Sequence, residues 1–219
     1  MAYTNIDKPT DYFDTKLYTG NAGTQSITMD FATDFIWNKQ RNGTLENYLF
    51  NSVTGTGKFL KSNSTAAEGT NTSTVTSFNS DGFTLGSAAG NNGSGNTMVS
   101  WNWKETATAG FDIVLYTGNG SNRTISHSLS AVPKMIIIKD RSAADNWNVY
   151  NSSSGNNSHM HLNLTNAASG SSSYWNTTTP TSSVFSLGSN SAVNANGNNF
   201  IAYCFADVQG YSKFGSYTG

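Results

Sequence analysis

The chain of 219 residues reads as all-β, as two tandem antiparallel β-sandwich modules of the jelly-roll or concanavalin-like kind. Three observations predict this. Thr, Val, Ile, Tyr, Phe and Trp alternate with small polar residues, whereas helix-favouring residues do not gather in runs. Short apolar segments recur at strand length between clusters of Gly, Asn, Asp and Ser. The two halves of the sequence also align with each other, and a fixed period decides architecture before any local pattern does.

The repeat is legible phrase by phrase. Leu17-Tyr18-Thr19-Gly20-Asn21 returns as Leu115-Tyr116-Thr117-Gly118-Asn119, and Ile36-Trp37-Asn38-Lys39-Gln40-Arg41 returns as Ile136-Ile137-Ile138-Lys139-Asp140-Arg141. Tyr48-Leu49-Phe50-Asn51 matches Asn148-Val149-Tyr150-Asn151, and Ala66-Ala67 matches Ala167-Ala168. Gly82-Phe83-Thr84-Leu85-Gly86 corresponds to Val184-Phe185-Ser186-Leu187-Gly188, with the turn glycine replaced by an apolar residue. Val99-Ser100-Trp101-Asn102-Trp103 pairs with Ile201-Ala202-Tyr203-Cys204-Phe205. The offset drifts from 98 to 102 residues, as small loop insertions produce in tandem domains. These matches divide the chain into an N-terminal arm (1–11), a first repeat (12–107), a second repeat (108–207) and a tail (208–219). The tail ends on Tyr217-Thr218-Gly219, the phrase that opens both repeats, so it reads either as a strand completing the second module or as the start of another.

Within the first repeat the apolar runs predict eight strands, at 13–18, 26–31, 35–39, 46–50, 58–60, 75–78, 83–85 and 98–103. Asn42-Gly43 suits a tight hairpin between the third and fourth, because both residues tolerate positive φ. In the last strand Val99, Trp101 and Trp103 share one face, expected to be the core face, and Ser100 and Asn102 the other. Ile136, Ile137 and Ile138 need cover on both faces, which places their strand centrally. Burying large side chains at roughly 1.5–3 kcal/mol each, about ten per repeat, offsets the ordering of so much Gly and Asn.

Composition excludes several function classes. Charged residues are 11%, against an average near 25%, so neutral polar side chains must supply solubility. With a net charge of −1 and no long basic cluster, neither nucleic acid nor an anionic membrane is an expected partner. The single cysteine, Cys204, has no disulfide partner in the chain and lies in an apolar strand, where a buried inert thiol is expected. The N-terminal residues lack a signal-peptide pattern, so synthesis and folding in a cytoplasm are expected.

Candidate chemistry is sparse. Lys39, Arg41, Lys139 and Arg141 stand at corresponding places, with Glu46 and Asp145 across the predicted hairpins; cross-strand charge pairs on a solvated face are expected, rather than a grip on an anionic sugar or phosphate. His159, Met160 and His161 form a His-x-His whose rings share one strand face, half of a transition-metal site. His127 is the only other histidine, so the remaining ligands would have to come from across a symmetry axis. For glycoside hydrolysis the carboxylates to consider are Asp81, Asp140, Asp145 and Asp207, mostly turn residues outside any catalytic motif. Trp147, Tyr150, Tyr174 and Trp175 are the aromatics that would stack on sugars if exposed. On these readings no catalytic, cofactor-binding or metal residue is assigned, no cofactor is implied, and the chain is not expected to be an enzyme.

The phrases Tyr116-Thr117-Gly118-Asn119-Gly120 and Met135-Ile136-Ile137-Ile138-Lys139, the run from Phe200 to Gly219, and Lys8-Pro9-Thr10-Asp11-Tyr12-Phe13 carry a resemblance. They resemble the tandem-repeat, tail-fibre-like virion proteins of tailed phages infecting marine bacteria. The resemblance implies a virion structural protein, a tail, fibre or capsid-decoration component located in the particle, whose partners are other virion proteins and further copies of itself. The alternatives are a lectin-like receptor-binding module for host-surface glycans, with or without Ca²⁺, and a polysaccharide depolymerase. The first repeat has Phe31-Ala32-Thr33-Asp34-Phe35 where the family pattern has a proline-containing turn, as the second repeat does at Pro133.

Overall fold

The structure, a computed structural model, describes residues 4–217. The first three residues of the expected arm, and the Thr218-Gly219 end of the tail, lie outside the described residues. The chain divides into two compact units, one of residues 8–105 and one of residues 106–219 together with residues 1–7. The expected arm is therefore split between them. Pro9–Asp11 form a 3₁₀ turn leading into the first unit, whereas Ile6, only 3% exposed, belongs to the second.

In the first unit the chain forms β1 (Phe13–Thr19), β2 (Gln25–Thr28), β3 (Phe35–Gln40), β4 (Tyr48–Asn51), β5 (Lys58–Lys61), β6 (Gly69–Thr70), β7 (Val75–Asn79), β8 (Gly82–Leu85), the one-turn helix α1 (Ala89–Asn92) and β9 (Thr97–Trp103). Six strands make an antiparallel sheet in the order β1-β9-β3-β4-β5-β6, and three make a smaller one, β2-β8-β7. The second unit has β10 (Phe111–Thr117), β11 (Arg123–Ser126), β12 (Pro133–Asp140), β13 (Asn148–Asn151), β14 (Ser158–His161), β15 (Ser169–Gly170), α2 (Ser172–Trp175), β16 (Val184–Leu187), α3 (Ser191–Asn194) and β17 (Asn199–Ala206). Its six-stranded sheet, β10-β17-β12-β13-β14-β15, copies the first, and β11-β16 form its small sheet. The fold is all-β and antiparallel, with the same strand order produced twice.

In each unit the two sheets share a core. Ile36 and Phe50 of the large sheet meet Ile27, Val75, Phe83 and Leu85 of the small one. In the second unit Ile136, Ile138, Tyr150, Phe200 and Cys204 meet Ile125, Phe185 and Leu187. The isoleucine strand β12 is central, between β17 and β13, and Ile136, Ile137 and Ile138 are all buried, as the run of β-branched residues requires.

The last strand faces the opposite way from expectation. Asn102 pairs with core residue Ile36, and Ser100 and Asn102 are 0% exposed, whereas Trp101 and Trp103 are half-buried on the other face of the sheet. Met98, Ser100 and Asn102, all 0% exposed at alternate positions, share this face, whereas on the other only Val99, 8% exposed, is buried. The Asn102 amide nitrogen is satisfied in place, Nδ2 donating to the Asp14 and Ser100 carbonyls at 3.1 and 3.0 Å, while its Oδ1 is buried with no partner among the described residues. The expected tight turn at Asn42-Gly43 is also absent. β3 and β4 pair antiparallel, but residues 41–47 connect them. Asn42 instead pins this loop to β9, accepting from Thr97 N at 3.0 Å.

A buried asparagine closes each unit and explains the repeated Tyr-Thr-Gly-Asn phrase. Asn92, 0% exposed at the end of α1, donates through Nδ2 to the carbonyls of Gly86 (2.8 Å) and Gly23 (2.7 Å), and its Oδ1 accepts from Asn21 N (3.1 Å). Asn194 donates to Gly188 (2.9 Å) and Ser121 (2.7 Å) and accepts from Asn119 N (3.0 Å). The tyrosine adds a second tie: Tyr18 Oη donates to Asn91 O at 2.6 Å and Tyr116 Oη to Val193 O at 2.7 Å. The glycine gives clearance, since a Cβ on Gly20 or Gly118 would lie 2.2 or 2.1 Å from a carbonyl oxygen of the opposing turn.

The units diverge at one hairpin, and the Gly82/Val184 replacement accounts for it. In the first unit Asn79 pairs with Gly82 across a two-residue turn, with Gly82 at φ +130° and no room for a Cβ beside the Ile27 carbonyl. Valine is strained in that conformation, and the second unit has no counterpart of β7. In its place is α2, capped by Ser171 at its start and by Asn176 in the left-handed region at its end.

Two outcomes follow. Asn194→Ala leaves buried backbone groups without partners and lowers unfolding stability by about 2–4 kcal/mol; Asn92→Ala does the same in the first unit, read by urea titration, and a loss below about 0.5 kcal/mol would contradict the clasp. His127, buried, accepts from Leu129 N at Nδ1 (3.3 Å) and faces Thr181 O through Nε2 (3.2 Å), an arrangement of the neutral ring. Burial lowers its pKa against the raising effect of Thr181 and Asp112. Its contribution is therefore complete above the unfolded pKa of ~6.5 and is lost as pH falls through the folded value. The thermal midpoint should drop on acidification, and less steeply in His127→Gln; an unchanged slope would refute the assignment.

Candidate functional site

The repeated lysines are structural. Lys139 is 0% exposed, and its Nζ donates to the carbonyls of Asp140 (2.8 Å) and Ala143 (3.3 Å). Lys39 Nζ donates to Leu45 O (2.6 Å). Each lysine thus ties down the loop after its strand, which replaces the expected cross-strand pairing on a solvated face. Burial pulls the Lys139 pKa down to about 8, opposed by the carboxylates of Asp140 and Asp145.

Three of the four candidate carboxylates are also committed to the backbone. Asp140 accepts from Ser142 N (2.8 Å), Ala143 N (3.0 Å) and Asn198 Nδ2 (2.7 Å). Asp145 accepts from Asn146 N at 2.7 Å, and Asp207 from Phe214 N at 2.9 Å and from Lys213. The hydrogen bonds hold the Asp207 carboxyl below the usual range despite its desolvation. Asp81 lies exposed in the β7–β8 turn. Asp207 and Phe214, whose ring lies 5.8 Å from that of Phe205, fasten the tail onto the second unit.

Of the four aromatics considered for sugar stacking, Trp147, Tyr150 and Trp175 are at most 2% exposed. Tyr150 and Trp175 meet edge to face at 5.7 Å, and Trp175 Nε1 donates to Ser158 O at 2.8 Å. Cys204 is buried in the core, and burial raises its pKa well above the usual thiol range, as expected of an inert side chain.

Two recesses lie in the second unit, one of about 640 Å³ lined by the tail segment 207–213 and one beside the histidines. The latter has a volume of about 490 Å³ and is lined by His159 and His161 of β14 and by the following segment, Leu164, Asn166, Ala167, Ala168 and Ser169. Both histidines lie on one face of β14, with ring centroids 5.3 Å apart. His159 is sandwiched flat against Tyr174, at 3.7 Å between centroids and 9° between planes. Desolvation and the His161 ring lower its pKa, and a backbone hydrogen bond with Ser169 raises it. Nδ1 of each ring is buried and without a hydrogen-bond partner among the described residues.

The sequence made the histidine pair visible but not Tyr174, which comes from the segment where the two units differ. Register comparison supplies the missing signal. Phe59 pairs with Gly69 as His159 pairs with Ser169, and Lys61 pairs with Tyr48 as His161 pairs with Asn148. The first unit thus builds the same strand with Phe and Lys. Among the described residues no group of three His, Cys, Asp or Glu is placed to hold a metal, and no helix is long and apolar enough to cross a membrane.

Comparison with curated proteins and with solved structures gives no match. The family model described as Domain of unknown function (DUF7483) matches residues 8–219, and the chain belongs to that family.

Proposed function

We propose that the chain is a structural component of a bacteriophage particle, placed in a tail, a fibre or on the capsid surface. It works by assembly with its own copies and with other virion proteins, and by adhesion at a surface. The observation that supports this reading is how the reactive groups are used: in a fold made twice, Asp140, Asp145, Asp207, Lys39 and Lys139 hold backbone, and Trp147, Tyr150 and Trp175 fill interior space. The protein presents surface rather than a reacting constellation. β1 and β10 end their large sheets and carry Leu17 and Leu115, 63% and 39% exposed, at the same place in both repeats. Apolar side chains on a sheet's terminal strand favour association with another chain.

The burial of three of the four aromatics weighs against the lectin-like reading, and the backbone donors on Asp140, Asp145 and Asp207 weigh against the depolymerase reading, which keeps only Asp81 in an exposed turn. Mass spectrometry of particles from the encoding phage should find this chain in stoichiometric amount, with the purified chain above monomer mass by light scattering. Its absence from particles, together with a monomeric state, would end the proposal; saturable binding on a glycan array would favour the lectin reading.

A further inference from the structure

The geometry points to a divalent transition-metal site in the second unit, in which His159 and His161 ligate one Cu(II), Ni(II) or Zn(II) ion through their Nδ1 atoms and water fills the remaining positions.

Four independent features converge on it. Both Nδ1 atoms are buried and lack a hydrogen-bond partner among the described residues, and His159 is itself only 9% exposed. A bare imidazole nitrogen removed from water is costly unless something binds its lone pair. The ring spacing fits: two imidazoles bound to one ion at ~2.0–2.1 Å per nitrogen place their ring centres roughly 5 Å apart. Here the centroids are 5.3 Å apart. The surroundings of His159 are those of a ligand held for metal. Stacking on Tyr174, at 3.7 Å between centroids, fixes the ring plane. Finally, the scaffold does not need histidine here, since Phe59 and Lys61 occupy the equivalent register in the first unit. The recess lies beside the pair, and both histidines line it.

Imidazole donors suit copper, nickel and zinc rather than magnesium or calcium, and in the general order of stability copper binds most tightly. Both histidines come from one chain, so binding by the pair does not depend on how the protein assembles.

The test uses the untagged full chain with CuCl₂, NiCl₂ or ZnCl₂, read by titration calorimetry, by the nitrogen hyperfine pattern of bound Cu(II), and by thermal midpoint. The expected result is one ion per chain, two equivalent nitrogen ligands, and a midpoint that rises with metal concentration. His161→Gln should weaken binding roughly 10-fold or more. The double variant His159→Phe/His161→Lys carries the first unit's own residues and should fold but lose the metal-dependent rise. His127→Gln should bind as the unmodified chain does. No binding by the unmodified chain, or binding that survives the double variant, would overturn the site; if the double variant does not fold, unchanged affinity in His161→Gln alone would do so.

Discussion

The hydrogen bonds of one buried asparagine in each unit are the constraint on which the architecture rests. The first strand of a unit must turn back beside the last across 80 to 84 residues, as Tyr18 pairs with Met98 and Tyr116 with Phe200. Asn92 and Asn194 join three otherwise separate stretches at that place: the turn after the first strand, the end of the small sheet, and the helical turn before the last strand. A chain with 11% charged residues has few ion pairs to spend on such joints. Primary amides supply two donors and an acceptor without the desolvation cost of a charge. Asn102 and Asn148, both 0% exposed within the sheets, use only the donor side, each Nδ2 bonding to backbone carbonyls.

Much of this architecture was legible in the sequence. The period of about 100 residues located the duplication, and eight apolar runs fell on strands of the first unit because alternation survives where one face of a strand is buried. Tyr-Thr-Gly-Asn was visible as a repeated phrase, but its partner was not. Asn92 sits in Gly90-Asn91-Asn92-Gly93, where asparagine is so frequent that a single load-carrying copy has no contrast with its neighbours. The face of β9 was misread for a related reason. Size normally marks the buried side, yet here Ser100 and Asn102 lie inward with Met98, and Trp101 and Trp103 are half-buried on the other face. The two-residue strand β6 was too short to show alternation at all.

The functional residues were partly legible. Histidines at i and i+2 announce a shared strand face from sequence alone, whereas the Tyr174 stack depends on the second unit's loss of β7, which no local pattern states. Lys139 shows the opposite failure: a lysine beside an aspartate and an arginine looks like a solvated charge cluster, and the structure buries it because the loop ahead offers carbonyl acceptors. Duplication makes such contrasts useful. Where both units keep a residue type, as at Asn92 and Asn194, the fold accounts for it. Where they part, as at Phe59 and His159, the second unit is free to carry something the first does not.

The central claim, that the asparagine clasp holds each unit closed, is tested most directly by amide hydrogen exchange resolved to single residues. The Asn21 and Asn119 N–H groups lie outside every strand, in exposed turns, and bond only to a side-chain amide. The account predicts that they exchange as slowly as the amides of β9 and β17. Exchange at the rate of an unprotected amide would contradict it.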